Sequence, residues 1–171
     1  MTLTTATAAD REFLFEVYAA GRDAEMAVLP WTDAQKRDFL RMQFEAQDRH
    51  YRSQYPEAEF QVIHHEGSPI GRLYVQESAG EIRIIDIVLL PAWRGAGIGS
   101  GLLRDILGRA AASNRVVTLH VEHNNPARRL YDRLGFRLVA DGGVYLRMEW
   151  DARRGDHGDS GTTSSAFNPP A

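Results

Sequence analysis

The chain has 171 residues, 43% of them hydrophobic, and a formal net charge of −3. This length suits a single globular domain, and the mild acidity lacks the basic footprint of proteins that bind nucleic acid or membrane surfaces. The absence of cysteine excludes disulfide bonds, a thiol nucleophile and cysteine-ligated zinc.

The first ten residues are rich in Thr and Ala and lack the basic-then-apolar pattern of a signal peptide. No apolar run approaches the length that spans a bilayer. We therefore expect a cytoplasmic protein that has neither a membrane nor a nucleic acid as its partner.

Hydrophobic periodicity in the first half of the chain predicts helices followed by a β-hairpin. In chain order the elements are a short strand at 3–7, a helix that Thr7 or Asp10 caps and that ends at residue 20, a helix from Thr32 or Asp33 to about residue 50, a turn at 51–56, and strands at 59–65 and 70–77.

The second half predicts strands that alternate with helices. In chain order the elements are a strand at 82–90, a helix at 97–113, a strand at 116–121, a helix that Asn125 caps and Pro126 begins, and strands at 136–140 and 144–150. Because a helix separates the strands at 82–90 and 116–121, we expect these two to run parallel. The nearly all-apolar sequence at 82–90 is typical of a strand buried on both faces.

This element order predicts one α/β (α+β) domain at residues 1–150. The expected architecture is a mixed, mostly antiparallel central sheet of about seven strands, flanked by about four helices. From residue 151 the composition changes to Gly, Asp, Ser, Thr and Pro, which predicts a disordered tail at 151–171.

A glycine-rich turn, Arg-Gly-Ala-Gly-Ile-Gly, occupies residues 94–99 between a predicted strand and a predicted helix. Such a turn leaves backbone N–H groups free at a helix N-terminus, which favours a phosphate-bearing ligand. A dinucleotide-binding fold would place the turn after its first strand, and a Walker loop needs a Gly-Lys-Ser/Thr sequence that this turn lacks. Both of these alternatives therefore fit the turn poorly.

Two motifs carry a resemblance to a known family. The sequence DIVLLPAWRGAGIG at residues 86–99 resembles the acyl-CoA-binding motif of the GNAT superfamily of N-acetyltransferases. The sequence NNPARRLYDRLGF at 124–136 is similar to its second signature, an Asn followed seven residues later by Tyr and then by Leu-Gly-Phe. The resemblance covers about residues 3–150 and implies acetyl-CoA as co-substrate and a central parallel strand pair that splays apart at its C-terminal ends.

The resemblance also implies which residues bind the cofactor. The backbone of the strand would line the pantetheine, the amides of the turn would hold the pyrophosphate, and two residues of the second motif would contact the cofactor. These residues are Ile87, Val88 and Leu89 on the strand, Arg94, Gly95, Ala96, Gly97, Ile98 and Gly99 in the turn, and Asn124 and Tyr131 in the second motif.

Three residues are predicted to take part in the chemistry. Tyr131 matches the family's tyrosine near the thioester sulfur and is expected to protonate the departing thiolate, although it could also be an aromatic residue that packs on a helix surface. Asp86, on a strand face shared with Ile82 and Ile84, could receive the substrate ammonium, act as base, or pair with an arginine. Glu122 could be the base or simply lie at a solvated strand end.

The acceptor site is the least determined part of the prediction. His120 shares a strand face with Glu122, and either of the two could be the base. Trp31 and Tyr51 could line an apolar acceptor pocket or belong to the core. A metal site at His120, Glu122 and His123 is not expected, because His123 would point the other way on a continuing strand.

The sequence thus predicts an N-acetyltransferase that transfers the acetyl group of acetyl-CoA directly to a primary amine of a small molecule or peptide. The alternative is a non-catalytic module that binds or senses acyl-CoA. A homodimer is possible, and the sequence does not report the acyl chain length of the donor.

Overall fold

The computed structural model describes residues 1–156 and shows a seven-stranded mixed sheet in that part of the chain, with strand order β1-β2-β3-β4-β5-β7-β6. The strands are β1 (Thr2–Thr5), β2 (Glu59–His65), β3 (Ser68–Glu77), β4 (Glu81–Leu89), β5 (Val116–Glu122), β6 (Arg137–Asp141) and β7 (Tyr145–Trp150). The α-helices are α1 (Arg11–Ala20), α2 (Asp23–Ala27), α3 (Asp33–Gln54), α4 (Ile98–Ala112) and α5 (Arg128–Arg133). The predicted fold class is confirmed.

The parallel pair is β4 and β5, as predicted. Their ladder runs from Glu81 opposite Val116 to Ile84 opposite Leu119. The strand β4 then continues to Leu89, and β5 continues to Glu122. The pairs β1–β2, β5–β7 and β6–β7 are antiparallel.

The chain divides into two compact units, and the first contains Met1–Tyr74 and Asp86–Ile98. Capping boxes at Thr7 and Thr32 each satisfy backbone N–H groups at a helix start. The two long helices of this unit then bury an apolar cluster with β2, which consists of Leu14, Phe15, Tyr18, Met26, Leu40, Phe44 and Val62.

The second unit contains Val75–Ile85 and, among the described residues, 99–156. Alternate residues of its strands are buried, as one apolar face of a sheet requires. The buried apolar residues of β4, β5 and β7 are Ile82, Ile84, Val117, Leu119, Val121, Leu146 and Met148. A helical stripe on α4 is buried as well, at Leu102, Leu103, Ile106, Leu107 and Ala110.

Two helices differ from their predictions. The turn predicted at 51–56 is wrong in its first half, because α3 continues to Gln54 and buries Tyr51 at 5% exposure. The helix predicted to begin at Pro126 begins instead at Arg128. The Asn125 side chain accepts a hydrogen bond from the Ala127 N–H at 2.9 Å, so it stabilises the turn that precedes the helix. The five-residue α2 was not predicted.

The strand β4 contains one residue more than β3 between two of their hydrogen bonds. The Ser78 N–H binds the Glu81 carbonyl at 2.8 Å, and the Leu90 N–H binds the Ile70 carbonyl at 2.9 Å. Between these two bonds the pairing passes from residue 78 to 70 on β3 but from residue 81 to 90 on β4. The extra residue on β4 is a β-bulge. Its regular ladder with β5 extends to Ile84, which places the bulge beyond that residue.

The bulge determines which face Asp86 occupies. Counting back from the Leu90–Ile70 bond places Asp86 opposite Tyr74, on the face that also carries Arg72. The prediction that Asp86 shares a face with the preceding isoleucines of β4 is therefore wrong. The prediction that the strand at 82–90 is buried on both faces is also wrong beyond Ile84, because residues 85–89 of β4 are only half-buried.

A short 3-10 helix, Ala152–Asp156, lies in the segment predicted as a disordered tail. The Asp151 carboxylate accepts hydrogen bonds from the Arg153 backbone N–H at 3.0 Å and from its guanidinium at 2.9 Å. The rest of the predicted tail, residues 157–171, lies outside the described residues.

Gly71 holds β3 against the outer part of β4, and we expect its replacement to be costly. A Cβ at this position would lie 2.3 Å from the Val88 carbonyl oxygen. Because that atom is backbone and cannot rotate away, Gly71→Ala should lower the free energy of unfolding by about 3 kcal/mol or more. Chemical denaturation measures the loss. The control is Gly108→Ala, where the Cβ meets nothing within 4 Å in a helix and stability should rise or stay the same; equal stability of both variants would contradict the packing argument.

Candidate active site

The glycine-rich turn has the backbone shape that an anion cradle needs. Pro91–Trp93 forms a 3-10 turn, and α4 begins at Ile98. Between them Gly95 and Gly97 have φ of 77° and 80°. This is a left-handed conformation that residues other than glycine rarely adopt. Nothing lies within 4 Å of a Cβ built at either glycine, so these glycines are required for their backbone conformation and the surface above them is open.

The outer half of β4 presents backbone groups on the side away from β3. Because the Leu90 N–H points to β3, the alternation of an antiparallel ladder turns the N–H groups of Ile87 and Leu89 the other way. The Arg94 Nε donates to the Leu89 carbonyl at 2.8 Å. The Leu89 N–H is therefore a candidate donor to a ligand carbonyl.

Asp86 is paired with a buried arginine. The Nη2 of Arg72 lies 2.5 Å from the Asp86 Oδ2 and donates to the Gln47 Oε1 at 2.9 Å. Arg72 is 3% exposed, whereas Asp86 keeps 18% exposure. Burial lowers the pKa of Arg72, but the neighbouring Asp86 raises it, and the net shift is upward. Arg72 is therefore charged and fixes one oxygen of Asp86.

At the end of β5, His120 and Glu122 lie on one face, as predicted. The ladder with β7 places His120 opposite Arg147 and Glu122 opposite Tyr145. Burial, followed by Arg83 and Arg147, lowers the pKa of His120 from 6.5 to about 4. His120 is therefore neutral at pH 7 and a weak base, whereas Glu122 is exposed.

The loop after β5 places the second motif. His123 contacts the Asp141 Oδ1 through its Nε2 at 2.9 Å, while Asn124 is exposed. Tyr131 on α5 is buried at 7% exposure, and its ring packs edge-on against Phe136 at a centroid distance of 5.6 Å. This packing also agrees with the alternative interpretation of Tyr131 as an aromatic residue that packs on a helix surface, so the role of its hydroxyl stays a prediction.

Comparison of the chain with models of known families identifies its family. The model of the acetyltransferase (GNAT) family matches residues 25–136. The chain belongs to the GNAT acetyltransferase family. Acetyl-CoA is the acetyl donor of this family, whose members are acyltransferases.

Solved structures share the GNAT fold over nearly their whole length. The PaiA N-acetyltransferase of Thermoplasma acidophilum, solved in complex with coenzyme A, is 16% identical, with a TM-score of 0.64 over 88% of this chain and 98% of its own. An acetyltransferase of Thermus thermophilus is 19% identical, with a TM-score of 0.61 over 88% and 97%. The ribosomal-protein-S18-alanine N-acetyltransferase of Escherichia coli is 16% identical, with a TM-score of 0.57 over 88% and 92%. No curated protein sequence matches the chain.

The two predicted acceptor aromatics of this GNAT chain lie in different environments. Trp31 is 39% exposed and packs edge-on against Phe39 at 5.2 Å. Tyr51 is buried, with its ring edge-on to Tyr74 at 6.1 Å, as expected of a core residue. Trp31 is therefore the more accessible of the two.

Among the helices of residues 1–156, none combines the length and the apolar character that a membrane-spanning helix needs.

Two arginines that neighbour predicted site residues of this GNAT chain were missed by sequence reasoning. Arg72 interrupts the otherwise apolar run IGRLYV, and Arg147 alternates with Leu146 and Met148. That alternation puts Arg147 on a polar strand face. Only the register of β7 shows that it lies opposite His120.

The lowered pKa of His120 predicts a loss of stability in acid. An unfolded chain binds a proton at this side chain near pH 6.5, but the folded chain does so only near pH 4. The unfolded state therefore binds more protons within this window, and the free energy of unfolding falls as the pH drops through it. In denaturation at about pH 7 and about pH 4.5, His120→Gln should lose less stability than the unsubstituted protein. Equal losses would contradict the shift.

Proposed function

We propose that the protein is an N-acetyltransferase that moves the acetyl group of acetyl-CoA directly onto a primary amine of a small molecule or peptide. The observation that carries this proposal is the open turn at Gly95 and Gly97, directly before α4, in a chain of the GNAT family. Amides at a helix N-terminus favour a diphosphate.

We assign the binding of the acetyl-CoA donor to backbone groups of the first motif and to a side chain of the second. The amides of residues 94–99 hold the pyrophosphate, and the backbone of Ile87, Val88 and Leu89 pairs with the pantetheine. Asn124 contributes a side-chain contact from the second motif. The N–H groups of Ile87 and Leu89 face away from β3, which supports this assignment.

The reaction requires a neutral amine, a polarised thioester carbonyl and a proton for the thiolate. The amine nitrogen forms a bond to the carbonyl carbon, the negative oxygen is held by the Leu89 N–H, and the carbon–sulfur bond then breaks. Tyr131 gives its proton to the departing sulfur. Free thiols have a pKa of about 8.5 and free tyrosine of about 10, so the two groups are close enough for this transfer.

Glu122 is the better candidate for the base. One oxygen of Asp86 lies 2.5 Å from the Arg72 guanidinium, so this carboxylate is already engaged in an ion pair, whereas Glu122 is exposed. We assign Asp86 the role of orienting the amine, and we assign Glu122 the uptake of its proton, directly or through water.

The proposal is tested with a panel of amines and acetyl-CoA. Thiol release is followed by a colorimetric reagent, and each acetylated amine is identified by mass spectrometry. At least one acceptor should release thiol above the rate without amine. Binding of CoA without turnover of any acceptor would instead support a non-catalytic acyl-CoA module.

A homodimer formed through the last hairpin stays a prediction. Leu138 and Val144 on that hairpin are 52% and 67% exposed.

A further inference from the structure

One face of β4, β5 and β7 carries charged and polar side chains in a half-buried setting. Directly opposed residues of neighbouring strands share a face, so Arg83 lies with Thr118 and His120 with Arg147. The face also carries Glu81, which accepts hydrogen bonds from Arg83 at 3.2 Å and 3.3 Å and from the Thr118 hydroxyl.

Within residues 1–156, Arg147 lacks a counter-charge on this face. Its Nε is buried and makes no hydrogen bond, and no acidic side chain of that part of the chain forms an ion pair with it. The neighbouring Glu149 is engaged by Arg154 at 3.3 Å. A buried donor without a partner is costly for a folded chain, and a ligand acceptor would remove that cost.

The charges on this face fit a monoanion. Glu81 balances Arg83, and Glu149, which lies opposite Thr118 on the same face, is paired with Arg154. Of these charges in the strand interior, the positive charge of Arg147 is the one that no described carboxylate balances. The neutral His120 adds none, and its pKa is lowered first by burial and then by Arg83 and Arg147. A carboxylate carries one negative charge and matches the fork of a guanidinium, whereas a phosphate dianion would exceed the available positive charge.

The same face places a negative charge one step further along β5. Glu122 follows His120 on the strand face at a spacing of about 6.6 Å and is exposed. A basic group in the strand interior and an acidic group at the strand end are complementary to a molecule with a carboxylate and an amine.

From this arrangement we propose that the acetyl acceptor is an amine that also carries a carboxylate, as amino acids do. Arg147 and Arg83 bind the carboxylate beside His120, and the amine lies toward Glu122. This inference depends on the proposed N-acetyltransferase function, and it identifies Arg147 as a specificity-determining residue.

The test compares amino acids with their decarboxylated counterparts. Acceptor pairs are L-lysine with cadaverine and L-phenylalanine with 2-phenylethylamine, measured as kcat/KM by thiol release. We expect the carboxylated member of at least one pair to be preferred at least tenfold. Arg147→Gln should remove that preference, whereas Arg104→Gln, the change of an exposed arginine on α4, should keep it.

A second readout does not depend on turnover. The ring signals of His120 are followed by NMR while L-lysine or cadaverine is added to the full chain. Only L-lysine should shift them, and the shift should disappear in Arg147→Gln, whose fold is checked by its melting temperature and its CoA binding. If that variant does not fold, Arg83→Gln takes its place.

Several outcomes would overturn the inference. They are equal kcat/KM within both pairs, a preference that survives in Arg147→Gln, or His120 signals that respond to neither or to both compounds. Absence of CoA binding would instead count against the proposed function, so the two failures are distinguishable.

Discussion

Tyr131→Phe is expected to lower kcat by about 100-fold, at the lower end of the range for general acid catalysis. The substitution removes only the hydroxyl group. The ring keeps its edge-on contact with Phe136 at 5.6 Å, so α5 should remain in place. The thiolate must then leave without a proton from the enzyme, whereas binding of CoA is unaffected.

Two measurements separate the role of Tyr131 in catalysis from a role in binding. Thiol release gives kcat, and calorimetry gives the affinity for CoA. Tyr55→Phe serves as the control because Tyr55 lies at the end of α3 and is also partly buried; its kcat should match that of the unsubstituted enzyme. A Tyr131→Phe rate within about threefold of the unsubstituted enzyme would remove the proposed acid, since proton transfer contributes at least about 100-fold.

Replacing both turn glycines is expected to weaken CoA binding by at least tenfold. In the double variant Gly95→Ala and Gly97→Ala, each alanine must adopt a φ near 80° at a cost of about 1–2 kcal/mol per residue. The turn then favours other conformations in which its amides no longer converge. Tenfold corresponds to about 1.4 kcal/mol, less than the combined strain.

The control for the turn is Gly101→Ala. Gly101 lies in the first part of α4, and a Cβ there meets nothing within 4 Å. This variant should bind CoA as the unsubstituted protein does. If the double variant also keeps full affinity, the left-handed glycines are not what shapes the cofactor site.

The elements of the site that depend on short-range sequence signals could be predicted. The turn follows from its glycines and from Pro91, and the parallel orientation of β4 and β5 follows from the helix between them. Both features are encoded in short stretches of chain, where steric rules and connectivity act directly.

Features that depend on distant partners could not be predicted. The face of Asp86 depends on a bulge that is visible only through the pairing of β4 with β3. Its counter-ion, Arg72, belongs to another strand. Likewise, α3 extends to Gln54 because Tyr51 is buried against Tyr74, a tertiary contact that overrides the local turn signal of Pro56.

Titration of the protein with coenzyme A tests the central claim most directly, since every proposed role depends on a cofactor held by the turn at residues 94–99. We expect a saturable heat of binding and a rise in Tm, because a ligand at about a hundred times its Kd stabilises the folded state by about 2.7 kcal/mol. A flat titration together with an unchanged Tm would contradict the account.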